Sequence, residues 1–229
     1  MGVDTALISA VRTGLAERAD AAKAVGMQAY MKSAMPFRGV AKPERAALMK
    51  TVLADHVLPD RVSFSTTVLT LWRTAEFREE RYAAIDLTGH RAYRQWQDPG
   101  LLDLYEELIV GGAWWDFVDE VAIRRVGPIL REHRAEVTPV LLRWATDPDR
   151  WRRRTAVISQ VSAKTDVDHV LLTAAIEANA ADPDFFLRKG IGWALRDHAK
   201  TDAAWVRAFV HDHPDLSPLS TREALKNLT

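Results

Sequence analysis

Asp147-Pro148-Asp149-Arg150-Trp151-Arg152-Arg153-Arg154 and Asp182-Pro183-Asp184-Phe185-Phe186-Leu187-Arg188-Lys189 are one pattern written twice, 35 residues apart. Each copy begins Asp-Pro-Asp, has an aromatic side chain two residues on and ends in paired basic residues. Apolar spacing then predicts a helix of about 12 to 15 residues after each copy. A period of about 35 to 45 residues made of helix pairs, without strand patterns, is the mark of an α-solenoid. The expected fold is all-α, a curved stack in which each pair hides one face against its neighbours and leaves a concave groove. The first residues of each second helix line such a groove. Arg153-Arg154 and Arg188-Lys189 occupy equivalent repeat positions, so they are expected to project in a row as a phosphate track. The competing reading is a solvated charged face.

Working outward, residues 3–32 read as two helices, with apolar positions at Leu7, Val11 and Leu15 and then Val25, Met27, Tyr30 and Met31. A loop carrying Pro36 and Gly39 follows, and Lys42-Pro43-Glu44 restarts a helix with proline in its first turn. Residues 63–74 keep helical spacing through Phe64, Val68, Leu71 and Trp72 despite their Ser and Thr content. Residues 76 to about 96 read as one long helix, stopped at Asp98-Pro99-Gly100. A helix over 101–110 is expected to turn at Gly111-Gly112, with Trp114 opening the next and Gly127-Pro128 interrupting it. Near the end, Ser220 with Glu223 reads as a capping box for a short closing helix at about 217–228. One domain over 1–229 is expected.

The 229 residues contain no cysteine, which excludes disulfide scaffolds, thiolate metal sites and cysteine nucleophiles. No apolar run approaches the length of a membrane span, and the first ten residues lack a secretory pattern, so a cytoplasmic protein is expected. Net charge is zero, with 31 basic and 31 acidic residues. The distribution is uneven. Residues 95–123 hold seven carboxylates and no Lys or Arg, whereas residues 124–154 hold nine arginines. A locally basic surface on a neutral chain is compatible with gripping phosphates. The seven histidines are scattered, His211 and His213 forming the only close pair, and are read as surface residues with no metal site. There is no phosphate-cradling glycine loop and no nucleophile elbow.

Chemistry is then left to carboxylate, indole and guanidinium, and Ala113-Trp114-Trp115-Asp116-Phe117-Val118-Asp119 offers the first two. On a helix, Trp115 and Asp119 share one face. An indole beside a carboxylate attracts positive charge, through the ring quadrupole and a full negative charge. The alternative is that both tryptophans are core and the acids merely start a helix.

Tyr30-Met31-Lys32, Glu107-Leu108-Ile109-Val110 and Trp114-Trp115-Asp116-Phe117-Val118-Asp119 resemble segments of the AlkD-type DNA alkylation repair glycosylases. So do Trp151 with Arg154, the run Lys189-Gly190-Ile191-Gly192-Trp193-Ala194-Leu195-Arg196, and Pro218-Leu219-Ser220-Thr221-Arg222-Glu223-Ala224. These matches run in order from about residue 25 to residue 226. The resemblance implies a solenoid of HEAT-like repeats whose groove takes duplex DNA. It also implies hydrolysis of the N-glycosidic bond of cationic purines such as 3-methyladenine and 7-methylguanine. By the same resemblance Asp119 is the catalytic carboxylate and Trp115 and Trp193 flank the lesion's sugar and backbone. Arg154 lies at the phosphate and carboxylate, and Tyr30 lies near the lesion. Lys32, Arg153, Arg188, Lys189 and Arg196 are the further candidates for DNA contact. No cofactor and no membrane partner is implied, and a monomer is the default expectation. The competing readings are a non-catalytic HEAT-like protein that binds unusual DNA structures and a protein-interaction scaffold. The first could dispense with the carboxylate-indole set, and the second predicts no salt-dependent affinity for DNA.

Overall fold

Each Asp-Pro-Asp turn has a simple mechanical job in the computed structural model, which describes residues 2–228. The first acid folds back on the second: Asp147 Oδ1 accepts the Asp149 N–H at 2.8 Å, and Asp182 Oδ1 accepts that of Asp184 at 2.7 Å. The second acid then caps a helix. Asp149 accepts from the N–H groups of Trp151 and Arg152, and Asp184 from those of Phe186 and Leu187. These caps satisfy donors that a helix start otherwise leaves unpaired.

The described residues form helices and turns without a strand, as the sequence predicts. They divide into two units, one ending at Trp96 and one beginning at Gln97. Met1 and Thr229 of the expected 1–229 domain lie outside the described residues. No helix is long and apolar enough to cross a membrane among the described residues.

The first unit contains α1 (Thr5–Glu17), α2 (Ala21–Met31), α3 (Lys42–Asp55), α4 (Arg61–Arg73) and α5 (Arg78–Thr88). Its core gathers Leu7, Val11, Leu15, Leu48, Phe64 and Leu71. The loop before α3 is fastened by buried Glu79, whose carboxylate accepts the N–H groups of Arg38, Gly39 and Val40. The long helix expected over 76–96 is two pieces. α5 closes at Gly89, and Arg91–Trp96 forms a 3-10 turn. Ring packing explains the break. Tyr93 and Trp96 stack on each other at 5.2 Å, and both lean on Phe64. Residues three apart eclipse in a 3-10 turn, so that geometry presents both rings to one partner.

The second unit holds α6 (Leu102–Gly112), α7 (Trp115–Val121), α8 (Gly127–Glu132), α9 (Arg134–Ala145), α10 (Arg150–Ile158), α11 (His169–Glu177), α12 (Phe185–His198), α13 (Ala203–Asp212) and α14 (Pro218–Leu225). α9, α11 and α13 begin at residues 134, 169 and 203, and their partners α10, α12 and α14 at 150, 185 and 218. These are the expected helix pairs. α10 packs between α7 and α12, and α12 packs on α14, so α7, α10, α12 and α14 succeed one another as neighbours.

Local expectations shift at five places. α6 runs through both glycines and closes on Ala113, which takes the left-handed conformation (φ 45°). Trp114 is the residue before α7, not its first. Gly127-Pro128 does not interrupt the helix. The chain passes from α7 through a π-helical turn, Ala122–Val126, into α8. The wider turn accommodates Pro128, which lacks an N–H and would crowd the carbonyl four residues back in an α-helix. α10 has 9 residues, shorter than expected. It gives way to a turn in which Ser162 takes φ 71° and donates its N–H to Asp197 of α12. Finally, Ser217 caps α14, not Ser220. Pro218 occupies the first helical position, where its missing N–H costs nothing, and this moves the cap three residues back from the expected box.

Candidate functional site

Asp119 lies in the last turn of α7, one helical turn after Trp115 on the same face. Arg154 comes from α10, which packs beside it. Arg154 Nε donates to Asp119 Oδ1 at 2.7 Å and NH2 donates to Oδ2 at 2.8 Å. Both carboxylate oxygens are thus held side-on by one guanidinium, the strongest geometry available to such a pair. The third nitrogen, NH1, donates to the backbone carbonyl of Phe186 in the first turn of α12. The guanidinium side chain is 6% exposed and the carboxylate side chain 14%, so the acid keeps an opening to solvent while its partner does not.

α12 completes the arrangement. Gly190 faces Arg154 so closely that an added Cβ would stand 3.0 Å from NH1. Trp193, half-buried, follows three residues later on neighbouring turns. Burial pushes the Asp119 carboxyl above the ordinary aspartate range. The hydrogen bonds and charge of Arg154 oppose that rise, and Asp116 adds a little to it. Hydrogen bonds from one guanidinium to both oxygens favour the ionised form. Behind the pair, Trp114, Trp151 and Phe186 pack against one another with centroids 5.0–6.3 Å apart, locking the starts of α7, α10 and α12 together.

The remaining candidates are placed as follows. Arg153 reaches Asp182 at 3.0 Å, and Arg188 Nε donates to the Asp182 carbonyl at 3.0 Å. Lys189 and Arg196 both pair with Glu223 of α14. Arg154 meets the carboxylate as expected, and three of its five N–H groups donate inside the protein. Of the row of equivalent basic pairs, Arg153 is tied to Asp182, Arg154 to Asp119 of α7 and Lys189 to Glu223 of α14, while Arg188 bonds a backbone carbonyl. Tyr30 and Lys32 belong to the first unit: Tyr30 is 75% exposed on α2, and Lys32 ends that helix in the left-handed conformation. An open hollow of about 640 Å³ lies between the two Asp-Pro-Asp turns, lined by Pro148, Arg150, Trp151, Arg153, Pro183 and Asp184 among others. Asp119, Trp115 and Trp193 do not line it.

A family model for the DNA alkylation repair enzyme matches residues 11–228. The chain belongs to the DNA alkylation repair enzyme family. A solved structure described as "Predicted DNA alkylation repair enzyme from Enterococcus faecalis" superimposes with a TM-score of 0.83 at 30% identity, covering 93% of this chain and 97% of that one. Comparison with curated proteins finds no match. Membership of the DNA alkylation repair enzyme family gives the chain a role in alkylation repair, with DNA as the partner.

Reasoning from sequence missed two features of this family member. Glu223, read as a cap, is an ion-pair partner for two predicted DNA contacts. Its 34-residue separation from Lys189 is one repeat period, a usable signal. The histidines are also not all isolated surface residues. His169 and His198, 29 residues apart in sequence, approach to 2.7 Å between their Nε2 atoms, and His198 is buried.

Proposed function

We propose that this protein is a DNA glycosylase that hydrolyses the N-glycosidic bond of cationic alkylated purines, 3-methyladenine and 7-methylguanine, in duplex DNA. The observation that carries this reading is the Asp119–Arg154 pair: an acid bonded through both oxygens to a buried arginine, still partly exposed, one turn from an indole.

An N-alkylated purine already bears positive charge and departs as a neutral base, so no general acid is required. As the bond from C1′ to the ring nitrogen breaks, its electron pair leaves with the purine and oxocarbenium character builds on the deoxyribose. Asp119 stabilises that cation and orients the water that attacks C1′, whose proton passes to solvent as the C1′–O bond forms. Trp115 and Trp193 add indole faces worth roughly 1 to 2 kcal/mol each once water is excluded. Arg154 acts on Asp119 by holding it ionised and aimed. Backbone contact falls to Tyr30, Lys32, Arg153, Arg188, Lys189 and Arg196 in a monomer that needs no cofactor. Selectivity comes from the charge of the leaving group, so neutral lesions are poor substrates. Because the base's own charge supplies the driving force, the base can remain stacked in the duplex, unlike in enzymes that flip it into a pocket.

The test is release of 7-methylguanine from methylated duplex DNA. Asp119→Asn is expected to lower it by at least about 100-fold, the scale set by removing a single stabilising group at a developing charge. Near-normal turnover by that variant, with its fold intact by circular dichroism, would remove the mechanism.

A further inference from the structure

We propose that His169, His198 and Asp202 form a site for a divalent transition-metal ion of the zinc class, clamping the joint between α11, α12 and α13. The residues come from three elements: His169 opens α11, His198 ends α12 and Asp202 caps α13. One ring nitrogen from each histidine and one carboxylate oxygen lie within 4.8 Å of one another.

The two Nε2 atoms stand 2.7 Å apart, a distance at which they share one proton. A metal ion takes that proton's place. With Zn–N bonds of about 2.0–2.1 Å in tetrahedral geometry, the nitrogens separate to roughly 3.3 Å, an opening of about half an ångström. Asp202 Oδ1 accepts the Trp205 N–H at 2.9 Å, which leaves the other oxygen for the ion. Two imidazoles and a carboxylate suit zinc, nickel, copper or iron better than magnesium or calcium.

The rings are held in place for this. Trp205 stacks on His169, with centroids 4.4 Å apart and planes 17° from parallel, and meets His198 edge-on at 5.3 Å. His198 is 5% exposed, so its ring is held within the packed interior. His169 is only partly buried, which gives an ion access from solvent and leaves room for water in the remaining coordination positions.

Calorimetric titration of the EDTA-treated full chain with Zn²⁺ alone, near neutral pH, tests this. One equivalent is expected to bind and to raise the melting temperature. His169→Ala is expected to weaken binding by at least about tenfold, and His211→Ala, outside the cluster, to leave it unchanged. Asp202→Asn, which preserves a competent helix cap, should also weaken binding without unfolding the chain. Absence of stoichiometric binding, or equal binding by wild type, His169→Ala and Asp202→Asn, would overturn the site.

Discussion

Asp119 must be ionised to stabilise a cation, so the direction of its shift fixes the acid limb of activity. Burial, the largest influence, raises the carboxyl above the ordinary aspartate range. Base release should therefore fall as pH drops, with a midpoint above that of a free aspartate, because protonation removes the charge the reaction uses. A pH profile of single-turnover 7-methylguanine release checks this, and a profile flat down to the ordinary aspartate value would contradict it. Truncating the other partner has a structural cost as well. Arg154→Ala leaves Asp119 without either guanidinium bond and empties a buried position, so we expect a loss of about 3–5 kcal/mol in stability together with activity. Gly190→Ala is the milder probe. Its Cβ would press on Arg154 NH1 at 3.0 Å, and displacing the guanidinium should lower activity more than melting temperature. Unaltered turnover in Gly190→Ala would show that the placement of Arg154 is not critical.

Helix starts carry the next level of control, because the Asp-Pro-Asp turns aim the elements that bear the site. Asp184→Ala removes the acceptor for two backbone N–H groups of α12 and the partner of Arg150 at 2.8 Å. A loss of about 1–2 kcal/mol is expected in urea unfolding. Activity should fall further than stability alone explains, since the Phe186 carbonyl that anchors Arg154 lies in that first turn. This is also where the sequence was most readable. A repeated Asp-Pro-Asp with matching aromatic and basic positions exposes the helix-pair period directly, because capping and proline geometry are local. Acid–base partners one period apart were equally available: Asp119 with Arg154 at 35 residues, and Arg150 with Asp184 and Lys189 with Glu223 at 34. What was not legible depends on tertiary packing. The 3-10 turn that seats Tyr93 and Trp96 on Phe64 and the pairing of His169 with His198 arise between segments that no short spacing connects. The placement of Ser217 as a cap was legible in principle, since proline at the first helical position points to the residue before it.

Charge over the whole molecule decides how strongly DNA can be held. The chain is neutral, and Arg153, Lys189 and Arg196, read from sequence as candidates for DNA contact, are paired with Asp182 and Glu223. A cation already facing a carboxylate must give up that partner to meet a phosphate, so each contributes less to binding than an unpaired lysine would. Lys189 and then Arg196 hold Glu223 below the usual carboxylate range, which favours its negative form. Counterion release makes the consequence measurable: for duplex DNA the slope of log affinity against log salt is about −0.9 per neutralised phosphate. Glu223→Gln removes the shared negative partner while keeping a side chain of the same shape. It should bind an undamaged labelled duplex more tightly at low salt, with a slope about one to two units steeper as Lys189 and Arg196 become available to phosphates. Fluorescence anisotropy across a salt series reads both quantities. If the slope matches that of the wild type, Lys189 and Arg196 do not face the DNA, and backbone contact must be sought among Tyr30, Lys32 and Arg188 instead.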